Sequence, residues 1–176
     1  IGGFADKYSD QVKSLSFIAP AGFGKVQTSI PFFMKIPGVI EWAMHVLADR
    51  FYGSAISSET AHSNDPLSIN EEEFQQLFSF QMQFKGFRES LASTMRNFNL
   101  FDAREMFEKV AAKNIPSIAI WGDNDGIVSY KGAETYSEIF QEGKVITIED
   151  GTHDITYRQP SDVLEAIKIF LASQIS

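Results

Sequence analysis

The chain has 176 residues, with 15 Lys and Arg against 23 Asp and Glu, for a formal net charge of -8. That length suits one domain with a substantial core, and the acidic balance excludes the Lys/Arg face with which nucleic-acid binders neutralise phosphates. The absence of cysteine excludes disulfides, thiolate metal sites and a thiol nucleophile, and is compatible with the cytoplasm.

In chain order, the sequence opens on IGGFADKYSD, where Gly2 and Gly3 stand as if a chain has just turned into a short amphipathic stretch. Val12–Ala19 (VKSLSFIA) then reads as a buried strand closed by Pro20-Ala21-Gly22. From roughly Pro31 to Val110 the pattern is helical, with clear pieces at Trp42–Phe51 and Glu71–Arg96 and a polar loop between them. This insertion holds 11 of the 16 Phe and all five Met. Two roles suit so apolar a segment: plain packing of a helical subdomain, or a lid lining an apolar pocket. No run of 18 or so apolar residues is predicted to span a membrane.

Two more strands follow. Ser117–Trp121 (SIAIW) is introduced by Pro116 and ended by Gly122; Lys144–Glu149 (KVITIE) is opened by Gly143 and ended by Asp150-Gly151. Short runs rich in Ile and Val, bounded by Gly or Pro, suit parallel strands covered on both faces. Ala133–Gln141 is the predicted crossover helix. After Pro160, Ser161 and Asp162 are the expected N-caps of a last helix, with Glu165 placed for a capping box. Val163, Leu164, Ile167, Phe170 and Leu171 form its apolar stripe. The order of elements predicts half of a doubly wound α/β sheet.

Ligands of open α/β sheets meet the carboxyl ends of the strands, and a right-handed crossover places the loops after the second and third strands on one edge. These loops read Gly122-Asp123-Asn124-Asp125-Gly126 and Asp150-Gly151-Thr152-His153-Asp154. An Asp here orients one imidazole nitrogen, leaving the other to move a proton near neutral pH. Asp123 and Asp150 are the rival acids, though Asp also favours turns. Asp154 reads as a solvated or capping residue. His45, in the predicted Trp42–Phe51 helix, and His62, in a polar loop, stand beside no strand end.

"IAIWGDNDGIV" and "VITIEDGTHDITYRQPSDVLEAIKIFL" resemble the C-terminal part of the α/β-hydrolase superfamily, with Gly122 and Asp125 matching its acid motif and Gly151, His153 and Pro160 its histidine loop. The resemblance implies a partial core at 1–30 and 111–176, a helical lid or cap at 31–110, Asp125 as triad acid, His153 as general base, and no metal or organic cofactor. Members often carry Glu two residues before the proline, where this chain has Arg158. The nucleophile in this family precedes the acid and the base, on a G-x-S-x-G elbow. By resemblance, Gly2 and Gly3 are then elbow glycines, the nucleophile, expected to be Ser, precedes Ile1, and the Ile1 backbone N–H serves the oxyanion hole. The missing N-terminal half of the same polypeptide is the expected partner, and this chain alone is expected to turn over no ester.

The function this implies is a serine hydrolase of the carboxylesterase or lipase type acting on an apolar ester. Within the same fold, hydrolysis of a C–C bond, an amide, an epoxide or a haloalkane stays open, as does a catalytically inactive binding protein.

Overall fold

The computed structural model describes residues 1–24, 36, 38–40, 42, 43, 46, 64–97 and 102–174. The described elements run α1 (Gly2–Lys7), β1 (Leu15–Ile18), α2 (Glu71–Gln81), α3 (Phe87–Asn97), α4 (Arg104–Ala111), β2 (Ser117–Gly122), α5 (Gly132–Ile139), β3 (Lys144–Ile148), α6 (Ile155–Arg158) and α7 (Pro160–Ser173). They fall into two units. Residues 1–24, 64–68 and 102–174 make the first, and 69–97 with the described residues between 36 and 46 make the second.

The first unit is built on a parallel sheet in the order β1-β2-β3. Leu15 stands opposite Ser117, and Ile118 opposite Lys144. Only the middle strand is buried at every residue; β3, at the sheet's edge, exposes Lys144 and Thr147. The expected full burial therefore holds for one strand of three.

Strand alternation sorts β2 between two apolar layers. Ala119 and Trp121 pack with Ala5 of α1, Phe107 and Val110 of α4, and Ala133 and Tyr136 of α5. Ile118 and Ile120 join Ile148, Ile155 of α6, and Val163 and Phe170 of α7. The first layer is aromatic at its centre: Phe23 stacks on Phe107 with ring centroids 4.0 Å apart, and Phe17 meets both edge-on. Tyr136 buries its ring there and shares a 2.8 Å hydrogen bond with the Ser117 hydroxyl. Burial pushes its phenol up to about 12, against the smaller opposing effect of the Ser117 bond.

The last helix begins earlier than its sequence suggests. Gln159 occupies the N-cap without a side-chain bond, and Pro160 sits in the first turn, where a missing N–H costs nothing. Neither Ser161 nor Asp162 caps it. The capping oxygens come instead from Asp65, 96 positions upstream: Oδ2 accepts the Ser161 backbone N–H and Oδ1 the Ser161 hydroxyl, both at 2.8 Å. Burial opposes ionisation of Asp65, but the N–H groups of Leu67 and Ser161 and the Ser161 hydroxyl together hold its carboxyl below the ordinary value.

In the second unit, Asn70 and Glu73 close a capping box on α2, with two reciprocal 2.9 Å bonds. The helical stretch predicted over Glu71–Arg96 is two helices, α2 and α3. The chain turns between them, and Gly86 there adopts φ +87°, a left-handed backbone that glycine takes without steric cost. Ile40 and Ala92 pack with Leu91, while Leu77, Phe80 and Phe84 stay more than half exposed. Most of the predicted Trp42–Phe51 helix lies outside the described residues.

Candidate active site

The site is assembled where β2 and β3 end side by side. Two glycines make this approach tight. A Cβ on Gly122 would lie 2.1 Å from the Gly151 carbonyl oxygen, and one on Gly151 would lie 2.8 Å from the Gly122 Cα. No other residue type fits at either position without moving backbone. The loops are also stitched by backbone bonds, Asn124 N–H to Gly151 O at 3.0 Å and Asp123 N–H to Ile148 O at 3.2 Å.

Within the first loop, Asp125 turns its carboxylate inward. Oδ1 accepts the N–H groups of Ile127 at 2.9 Å and Val128 at 2.7 Å, an arrangement Asp favours because its side chain mimics a backbone turn. Oδ2 lies 3.0 Å from His153 Nδ1. The Asp125 side chain is fully buried and the His153 ring is 34% exposed. A carboxylate only accepts hydrogen bonds, so Nδ1 carries the proton and the Nε2 lone pair is the basic one.

The rivals separate by burial and conformation. Asp123 and Asp150 are both exposed. Asp150 adopts φ +53°, the left-handed conformation of a turn former. Asp154, expected to be solvated or capping, opens α6 as its N-cap residue, while its side chain bonds Thr152 and Arg158. His45 and His62 lie outside the described residues.

At the other end of the chain, Ile1 is the N-cap residue of α1 and is mostly exposed. Gly2 is buried, and a Cβ there would come within 2.6 Å of Met106 Cε, so its small size serves the packing of α1 on α4. Gly3 faces open space. Sequence reasoning missed Asp65, Thr152 and the partnership of Arg158 with Asp154. The i, i+4 spacing of Asp154 and Arg158 was the one available signal.

No family model matches the chain. It is 25% identical over 184 residues to Lipase 3 of Moraxella sp. strain TA144, covering 95% of this chain and 50% of that protein. The chain thus spans about half the length of the curated relative it matches. Among solved structures, a bromoperoxidase from Bacillus anthracis superposes with a TM-score of 0.68 at 19% identity, covering 97% of this chain and 64% of that one. A thermophilic esterase from Thermogutta terrifontis superposes with a TM-score of 0.62 at 18% identity, covering 99% and 61%. With a parallel sheet, flanking helices and these neighbours, the chain has the α/β-hydrolase fold and corresponds to its C-terminal part.

Proposed function

We propose that this chain carries the acid and the base of a serine hydrolase that cleaves a carboxylic ester with an apolar acyl or alkyl part. The observation behind the reading is the buried Asp125 carboxylate 3.0 Å from His153 Nδ1, on loops leaving adjacent parallel strands. In this scheme a serine hydroxyl from outside the chain attacks the ester carbonyl while His153 Nε2 takes its proton. Asp125 keeps the ring oriented and stabilises the imidazolium. Backbone N–H groups, one of them from Ile1, hold the oxyanion. His153 then protonates the departing alcohol, and a water activated by the same nitrogen releases the acid.

The complementary half of the polypeptide is proposed to pair with β1. Among the described residues only β2 pairs with that strand. Beside it lies a concavity of about 580 Å³ whose lining joins Ile1, Phe4, Ala5, Val12 and Leu15 to the polar Gln11, Lys13 and Ser14. An apolar substrate, and a lid role for the part of the 31–110 insertion that makes the second unit, are supported by the exposed Leu77, Phe80 and Phe84; α4, whose Phe107 and Val110 pack against β2, belongs to the core instead. Among the described residues no helix is long and apolar enough to cross a membrane.

The experiment is labelling of the full-length protein with a fluorophosphonate, alongside hydrolysis of p-nitrophenyl butyrate. Labelling of one serine, with both signals abolished in H153A, is expected. A full-length protein that neither labels nor hydrolyses overturns the reading.

A further inference from the structure

His153 sits between two residues whose side chains join across it. The Thr152 hydroxyl donates to Asp154 Oδ1, and Arg158 Nε donates to Asp154 Oδ2 at 3.0 Å. The Arg158 and Asp154 side chains are only 11% and 19% exposed. That sets them apart from a surface pair such as Lys109–Glu105, at 56% and 86%, where solvent screens most of the attraction.

The connection closes on a short element. α6 has four residues, and the N–H groups of Tyr157 and Arg158 both donate to the Asp154 carbonyl. A single turn of helix does not hold itself together in water. The Arg158–Asp154 bond spans this turn from end to end, and Ile155 anchors it beneath, fully buried. The start of the turn is therefore fixed from both sides, one residue after His153.

Asp154, next to His153 in the chain, is a second carboxylate beside Asp125, and only Asp125 lies on Nδ1. Each Asp154 oxygen is engaged, one by Thr152 and one by Arg158, and the guanidinium balances its charge. That takes Asp154 out of competition with Asp125.

We propose that Thr152, Asp154 and Arg158 are positioning residues that hold the His153 ring with Nδ1 on Asp125. The inference rests on reading Asp125 and His153 as the catalytic pair.

The test is 15N NMR of the imidazole rings in the full-length protein at about pH 8, where an ordinary imidazole is neutral, with H153Q assigning the signals. In the wild type the Nδ1–H tautomer dominates. R158A and T152V each speed Nδ1–H exchange about fivefold, the worth of roughly one net hydrogen bond, and raise the share of the other tautomer. R158K, which keeps the charge, recovers at least half of the loss. T152V is nearly isosteric and serves if R158A does not fold. Wild-type tautomer and exchange in both folded variants overturn the proposal. D125N separates the underlying reading: a His153 tautomer indifferent to D125N overturns the catalytic pair, whatever R158A does.

Discussion

The two loops that make the site are held by different means. The acid loop orients its key residue locally: Asp125 accepts the N–H groups of Ile127 and Val128, two and three residues on. In the histidine loop the Gly151 N–H donates to the Ile148 carbonyl at 3.1 Å, and His153 and Asp154 lie in a turn that leads into α6. This loop also depends on side-chain bonds from Thr152 and Arg158 to Asp154, and on glycine-to-glycine contact with its neighbour. A carboxylate that must stay buried is oriented by backbone donors, which cannot rotate away. The His153 side chain is 34% exposed, and the residues on either side of it in the chain, Thr152 and Asp154, bond each other.

The sharpest way to break this comparison is D125N in the full-length protein. The amide oxygen of that variant still accepts from Ile127 and Val128, so the acid loop stays folded. Its NH2 group, however, now faces His153 Nδ1 and inverts the tautomer. Esterase kcat/KM is expected to fall about 10⁴-fold, by analogy with other triads, while the melting temperature hardly moves. Loss of both together shows that the local bonds to Ile127 and Val128 do not hold the acid loop.

G122A attacks the contact between the loops instead. Its new Cβ meets backbone, which cannot rotate aside, and the expected cost is about 3 kcal/mol in urea unfolding. A cost below about 1 kcal/mol contradicts the close approach of the loops.

A smaller effect tests the aromatic layer on one face of the sheet. Tyr136 has its folded pKa raised from 10.0 to about 12 by burial. The folded state therefore keeps a proton that the unfolded chain releases, and stability is expected to fall as pH rises through 10 toward 12. In Y136F this alkaline dependence shrinks, measured as the urea midpoint against pH.

The mildest effect concerns the 64–68 segment. The Asp65 carboxyl is held below its ordinary value, so its contribution is present above the unfolded pKa near 3.8 and is lost as pH falls through the lower folded value. D65N is expected to lower stability slightly at neutral pH, where that contribution is present, to converge on the wild type well below about pH 4, and so to flatten the acid limb of the stability profile.

Much of the site was legible because its signals are local. Gly122, Asp125, Gly151 and His153 each sit at or just past a strand end, and both strands are plain in the sequence as β-branched runs bounded by Gly or Pro. The strand predicted over Val12–Ala19 is shorter, Leu15–Ile18, because Val12 closes a one-turn helix at Ser9–Gln11. The Glu71–Arg96 stretch hid a turn, since Gly86 is a weak signal inside a run with helical spacing.

By itself, the sequence determined the parallel α/β architecture, the alternation that gives β2 two apolar faces, and the pairing of Asp125 with His153 on one sheet edge. These follow from periodicity, glycine placement and the handedness of crossovers, all carried by neighbours along the chain. Only the tertiary structure decided that Asp65 caps the last helix in place of Ser161 or Asp162, that Gly2 yields space to Met106, and that Arg158 pairs with Asp154. Caps and ion pairs go to whichever oxygen or nitrogen the packed core brings within about 3 Å, and residues 96 apart carry no mutual trace in sequence.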